Sequence, residues 1–358
     1  MNFRDISNLR LINQQIADSE FNRIKDLAGW MGALQAQDYN GVKWAIGLRV
    51  PGTNDAMIEE AIERADIIRT HLLRPTWHFV SSDDIYWVLE LSAPQIRSVC
   101  KSRDRDLGIT GSIIQKSFQL LEKILSGGKR LTRAELREEF KRENIETDDN
   151  RLYHFLMHAE INGLIFSRYS GTNRQTYSLL SETVPKTKTF TRDEALANLA
   201  SRYFRSHGPA TVQDFSWWSG LSLTESKRAL EINLPDFMSE TTENQTFWFS
   251  SALTVHKQKE DTLFLLPAFD EFIISYRNRI PSIRTEHQNK AFSSNGIFRP
   301  MIVAGGQVIG TWKQTLKKDK VLLETAFFQS TDDGIPDMIL NAAKPLSVFF
   351  NKQIELIR

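Results

Sequence analysis

A chain of 358 residues, 41% hydrophobic and 25% charged, has the size of two or three domains and the composition of a soluble globular protein, which excludes disordered, collagen-like and coiled-coil classes. The single Cys100 excludes an internal disulfide and a thiolate zinc cluster; the longest apolar runs are broken by proline and the first residues lack a signal-peptide core, so a reducing cytoplasm fits and no membrane span is expected. Net charge is +1, with −3 over residues 1–100, +3 over 101–180, −1 over 181–260 and +2 over 261–358, so charge alone announces no nucleic-acid partner and any DNA contact must come from local stripes.

Residues 8–80 predict helices over 8–17 and 20–34, a turn at Gln35–Gly41, a helix over 55–65, and β-rich segments at Ile67–Arg74 and Thr76–Val80. In residues 112–180, Ile113, Ile114, Leu120, Leu121, Ile124 and Leu125 recur at helical spacing up to the stop at Gly127-Gly128. Thr132 and Glu135 form a capping-box pattern that opens a second helix, and a third carries Leu152, Phe155, Leu156, Ala159 and Ile161 to Gly163. Two short β-rich runs around Ser170–Arg174 then read as a hairpin, so this stretch has the winged-helix order of three helices and a wing.

The order recurs over 191–250, with helices at Arg192–His207, after Thr211, and at Thr224–Ile232, then a wing from Phe237 and Thr246; Pro185–Thr189 reads as the linker before it. The last hundred residues change to strands at Leu263–Pro267, Phe298–Ala304, Gln307–Lys313 and Val321–Phe328, with turns at Gly305-Gly306 and Lys317–Lys320 and a closing helix over Asp337–Phe350. The fold class expected is α+β: three tandem winged-helix units, over 1–105, 106–185 and 186–255, then a small β-barrel or curled sheet over 256–358.

Few residues group in a way that suggests chemistry. Gln35 and Gln37 point the same way only if their segment is extended, and two amide oxygens can then orient a water and face a developing positive charge; the plain alternative is a polar turn. His154 and His158 have zinc-helix spacing, but Phe155 stands where the catalytic Glu would be, no third ligand is near in sequence, and a face toward solvent or DNA is expected; no metal is assigned. Arg69, His71, Arg74 and His78 decorate one hairpin as potential phosphate or base contacts. Asp270 and Glu271 are either an acid–base pair or ion-pair partners of nearby arginines. Lys313, Lys317, Lys318 and Lys320 share a hairpin with Trp312, either as a solvated face or as a probe of a duplex.

Gln35-Ala-Gln37, Leu73-Arg-Pro-Thr-Trp-His78, Leu265-Leu-Pro-Ala-Phe-Asp-Glu271 and Gly310-Thr-Trp-Lys313, in this order over nearly the whole chain, together resemble the AlkZ-like winged-helix DNA glycosylases. The resemblance implies three tandem winged helices with a C-terminal β-barrel, and excision of N7-alkylated purines, in some members with unhooking of interstrand crosslinks. It implies a Gln-x-Gln signature at Gln35 and Gln37, with Asp38, Tyr39, His78 and Asp270 as supporting candidates. DNA contacts are expected at Arg69, His71, Arg74, Arg168, Arg174 and the four hairpin lysines. No cofactor is expected, and the partner is duplex DNA carrying alkylated or crosslinked purines, met by a monomer on the nucleoid of a bacterial-type cytoplasm. Two other readings remain: a winged-helix regulator without activity, and a retained fold whose substrate has drifted to RNA or a natural-product adduct.

Overall fold

The computed structural model describes residues 1–170, 174–186, 189–251, 262–330 and 334–357. Helix α1 (Phe3–Asn13) starts at a capping box in which Asn2 and Asp5 satisfy each other's backbone N–H. After α2 (Ile24–Met31) come the two-residue strand β1 (Leu34–Gln35), α3 (Tyr39–Arg49), α4 (Asp55–Glu63) and the hairpin β2 (Ile67–Leu72) and β3 (Thr76–Ser81). The chain then runs through α5 (Ile85–Asp106), α6 (Gly111–Leu125), β4 (Leu131–Thr132), α7 (Arg133–Arg142), α8 (Arg151–Ile161) and the hairpin β5 (Ile165–Ser170) and β6 (Arg174–Leu179). A third group of α9 (Arg192–Ser206), α10 (Val212–Ser219) and α11 (Leu223–Ile232) precedes the hairpin β7 (Phe237–Thr242) and β8 (Gln245–Ser250). Capping boxes at Thr132, Thr191 and Thr211 start α7, α9 and α10. The expected linker at Pro185–Thr189 lies partly outside the described residues.

The first two hairpins do not stand apart. Arg69 of β2 pairs with Ser167 of β5, which fuses them into one sheet of order β1-β3-β2-β5-β6-β4. Residues from α6–α8 and β5–β6 share a core of their own around Leu121, Leu136, Phe140 and Phe155. The first hairpin has no such core. One face, with Ile68, Leu72 and Val80, joins Leu199, Tyr203 and Trp218 of the third group; the other, with Ile67 and Phe79, joins Leu265, Ile302 and Leu323 of the C-terminal region.

That region contains β9 (Leu263–Leu266), α12 (Glu271–Ile274), α13 (Gln288–Ala291), β10 (Met301–Ala304), β11 (Gln307–Leu316), β12 (Lys320–Phe327), α14 (Ile335–Ala342), α15 (Lys344–Phe350) and β13 (Gln353–Ile357). Its sheet has the order β13-β12-β11-β10-β9, with no pairing between β9 and β13 among the described residues, so it curls without closing. The fold is mixed α+β, as expected.

Four local readings need correction. The turn at Gln35–Gly41 is shorter than expected because Asp38 caps α3 at Gly41 N–H; Gly41 and Gly47 had hidden this helix. Gly47 is there for space, since a Cβ would lie 2.5 Å from the Phe349 ring of α15. The long helix α5 runs straight through Pro94, a residue that in the sequence signals a helix break. The single closing helix is two, since Pro345 starts α15 afresh. The tail then adds β13 parallel to β12.

Gly220 shows how tightly the third helix group meets the first hairpin. It ends α10 at φ +73°, and a Cβ there would stand 2.4 Å from the Leu73 carbonyl oxygen. Gly220→Ala is expected to cost at least ~1–3 kcal/mol, as a lower melting temperature in thermal unfolding, because both the φ angle and the backbone contact oppose a side chain.

Candidate active site

The segment after α2 reverses at Gly32 and enters the sheet, where Leu34 pairs with Phe79 and Gln35 with His78; the Ala36 N–H donates to the Trp77 carbonyl at 2.7 Å. Leu34 and Ala36 are buried and Gln37 is exposed, while Gln35 is half-buried. The segment is therefore extended through Ala36, the condition under which alternate residues share a face.

Two buried groups fasten this short strand. Arg69 donates Nε and Nη2 to the Ala36 carbonyl at 3.2 and 2.9 Å, its guanidinium 4.4 Å from the Trp77 ring centre. Glu271 Oε1 accepts the Gln35 N–H at 2.6 Å, and its Oε2 accepts from Trp218 Nε1 at 3.3 Å and from the Ser275 hydroxyl. Burial pushes the Glu271 carboxyl up, but His207, Ser275 and the Gln35 N–H outweigh it and hold the group down at about 2. A fixed negative charge therefore sits directly behind the Gln35 backbone.

On the site's other side, Arg74 and Arg279 both approach the exposed Trp217, each guanidinium 5.7 Å from its ring centre, and Arg279 also faces Phe292 and Phe298. Burial lowers both guanidinium groups, Arg279 to about 10. Trp217 donates Nε1 to the Ile274 carbonyl at 3.1 Å and Arg279 donates Nε to the Ile273 carbonyl at 3.0 Å, so both are held against the short helix α12 that begins at Glu271.

A family model described as DNA glycosylase AlkZ-like matches residues 28–344. The chain belongs to this family. An interstrand DNA cross-link repair glycosylase of Streptomyces sahachiroi is 23% identical over 317 residues, 84% of each protein. The solved structure of the Streptomyces sahachiroi DNA glycosylase AlkZ superposes with a TM-score of 0.83 at 17% identity over the whole of both chains, which shows the shared fold.

Within this AlkZ-like glycosylase, the supporting candidates separate. Asp38 is occupied as the cap of α3, accepting the Gly41 N–H at 3.0 Å. Tyr39 donates to Glu59 at 2.8 Å and stacks on Tyr169 at 3.8 Å between centroids; burial first, then Glu59, raises its hydroxyl far above the ordinary tyrosine range. Asp270 forms a two-point ion pair with Arg49, both contacts at 2.8 Å, with both side chains buried. It is a structural anchor, and its partner is Arg49 rather than the nearby arginines. His78 is fully buried beside Gln35.

The expected DNA stripes need correction, because three of their members are interior. Arg69 holds Ala36; His71 bonds through Nδ1 to Glu160 and sits 3.1 Å from the Tyr153 hydroxyl; Arg168 donates to the Glu63 carbonyl at 3.3 Å. Tyr169 lies over Arg69, α8 over His71, and Arg168 packs on the Phe166 ring. Arg74 is half-buried at the site, and Arg174 is exposed, while the turn before it, residues 171–173, lies outside the described residues. Lys313, Lys317, Lys318 and Lys320 are exposed on β11–β12, with Lys313 3.7 Å from Glu324 and Lys320 2.6 Å from Glu355. Trp312 is not on that surface: it is buried and donates to the Leu266 carbonyl at 2.7 Å.

The histidines of α8 also face inward rather than toward solvent or DNA. Asp104 of α5 supplies the third group that sequence spacing lacked, with His154 Nδ1 at 2.8 Å and His158 Nε2 at 2.9 Å from its two oxygens. These three donors lie within 4.8 Å and are the set among the described residues that could hold a metal ion, yet the carboxylate already partners both rings. Among the described residues, no helix is long and apolar enough to cross a membrane.

Sequence reasoning missed Glu271 as the anchor of Gln35, and Trp217 and Arg49 altogether; Arg279, expected as an ion-pair partner of Asp270 or Glu271, faces Trp217 instead. The adjacent pair Trp217-Trp218 was the available signal, since one indole of two successive helical residues must leave the core.

Proposed function

We propose that this chain is a monofunctional DNA glycosylase that hydrolyses the N-glycosidic bond of N7-alkylated purines, including those in interstrand crosslinks, with the attacking water positioned by Gln35 and Gln37. The observation that carries the reading is the strand that presents Gln35, extended through Ala36 and leading directly into Gln37, fastened from behind by Arg69 and Glu271, with Arg74 near Glu271. An N7-alkylated purine is already a cation, so its departure needs no strong acid. Amide carbonyl dipoles suffice to hold water at C1′ and favour the oxocarbenium-like sugar. The name of the Streptomyces relative supports crosslinked DNA as a substrate.

The three helix groups with their hairpins are read as winged-helix units over 1–105, 106–185 and 186–255, presenting the duplex to the site, with the curled sheet over 256–358 as a half-barrel support and the chain acting as a monomer. A bulky or crosslinked purine is hard to flip into a closed pocket, and an open surface accommodates it.

The test is incubation with N7-methylated and N7-crosslinked duplexes. Release of 7-methylguanine and unhooking, leaving an abasic site and no borohydride-trapped enzyme, is the expected result. Sequence-specific binding to undamaged DNA without base release would overturn the reading in favour of a non-catalytic regulator. Binding to undamaged duplex should also be weak, with log affinity falling against log salt at a slope of about −2 to −4, since few cations of the expected stripes remain exposed to meet phosphates and each contributes about −0.9. Fluorescence anisotropy across a salt series measures this.

A further inference from the structure

Strand β3 lies between β1 and β2, and His78 pairs with Gln35 on one side and Thr70 on the other. Residues in one cross-strand row point to the same face. All three end in a buried polar atom without a hydrogen-bond partner among the described residues: Gln35 Oε1, His78 Nε2 and Thr70 Oγ1. Leaving such a group unpaired costs about 1–3 kcal/mol, so a row of them marks a place that a polar ligand or water occupies.

The chemistry of the row is specific. His78 Nδ1 lies 2.9 Å from the Thr76 carbonyl oxygen, which can only accept, so the proton is on Nδ1 and Nε2 presents a lone pair. Gln35 Oε1 is also an acceptor. Two neighbouring acceptors cannot satisfy each other, whereas one water donates a hydrogen to each and keeps its own lone pairs free. Burial first, then Arg74, holds the His78 ring down at about 3, so the lone pair stays available at neutral pH with Arg74, Glu271 and His71 as its charged or titratable neighbours.

Resting on the glycosylase reading above, we propose that Gln35 Oε1 and His78 Nε2 together hold the attacking water, and that His78 receives its proton. The C1′–N9 bond breaks with its electron pair going to the purine, which leaves neutral because that pair cancels its N7-alkyl charge. The water oxygen bonds to C1′, and the proton it loses passes to His78 Nε2 and then to solvent. So weak a base is adequate because the glycosidic bond breaks ahead of the attack. Gln37, exposed at the end of the same segment, meets that water from its open side.

The experiment compares the full chain with His78→Phe, which keeps a ring and removes the acceptor, His78→Gln, which keeps an amide oxygen, Gln35→Ala, and the Gln35→Ala/His78→Phe double variant. Single-turnover release of 7-methylguanine, binding to a duplex with a tetrahydrofuran abasic analogue, and melting temperature are read for each. His78→Phe is expected to slow release about 100-fold with binding and melting unchanged, and His78→Gln to stay within about tenfold of the parent. The double variant should be no more than about threefold slower than the slower single, because both side chains act on one water.

A parent-like rate in His78→Phe, an equal loss of abasic-analogue binding, or fully additive losses in the double variant would each overturn the proposal. If His78→Phe does not fold, His78→Gln decides, and a loss above about 30-fold at unchanged melting temperature overturns it. A parent enzyme that releases no base from any alkylated duplex refutes the glycosidic reaction itself, which is a separate outcome.

Discussion

Gln35→Ala and Gln37→Ala are each expected to slow release of 7-methylguanine by about 10²-fold or more, roughly 2.7 kcal/mol of transition-state stabilisation, with DNA binding nearly unchanged. The reasoning is geometric. Gln35 sits on a strand held by a backbone bond to Glu271 at 2.6 Å and by Arg69 on the next carbonyl, so its amide is pre-positioned rather than mobile. Truncation removes a carbonyl dipole without touching either fastening, because both use backbone atoms. Single-turnover kinetics beside thermal unfolding check the point. Parent-like release by a folded Gln37→Ala enzyme would remove Gln37 from the mechanism, and the same result for Gln35→Ala would remove Gln35.

Asp270→Ala is expected to lower stability by about 3–5 kcal/mol, the typical cost of leaving one partner of a buried ion pair uncompensated. Arg49 is fully buried, donates to the Gln14 carbonyl at 2.9 Å and the Ala45 carbonyl at 3.0 Å, and relies on Asp270 for its only salt bridge among the described residues. The pair ties α1 and α3 to the turn that carries Glu271, so base release should fall with the folded fraction. Arg49→Met/Asp270→Leu, which removes both charges together, should recover much of the stability and with it activity. Denaturant titration measures the first effect. An Asp270→Ala protein of parent-like stability that releases no base would assign Asp270 to the chemistry instead.

Much of the local structure was legible. Thr132 with Glu135 announced α7, the periodic apolar residues over 113–125 announced α6, and the β-rich runs at 67–72 and 76–81 announced a hairpin, because capping and periodicity act over a few residues. The spacing of Gln35 and Gln37 was also visible, but whether the segment was extended depended on β3, a partner some forty positions away. Arg69 and His71 read as groove contacts because alternation placed them together on one face of β2. That face is covered by α8, through Glu160 and Tyr153, and by Tyr169 over Arg69, which no local pattern encodes.

The near-neutral charge illustrates the same division. Counting residues established that no long block of the sequence is strongly basic. Which cations remain at the surface was a separate question, answered when tertiary packing buried Arg69, His71 and Arg168 and left Arg74, Arg174 and the β11–β12 lysines in partial or full contact with solvent. The sequence by itself determined the order of the three helix groups, their hairpins and the C-terminal strands, and the Gln-x-Gln pair, since short-range sterics and hydrogen bonding decide these. The tertiary structure alone decided that Glu271 stands behind Gln35 and that His78 aligns with it, because both are long-range placements made by sheet register and core packing.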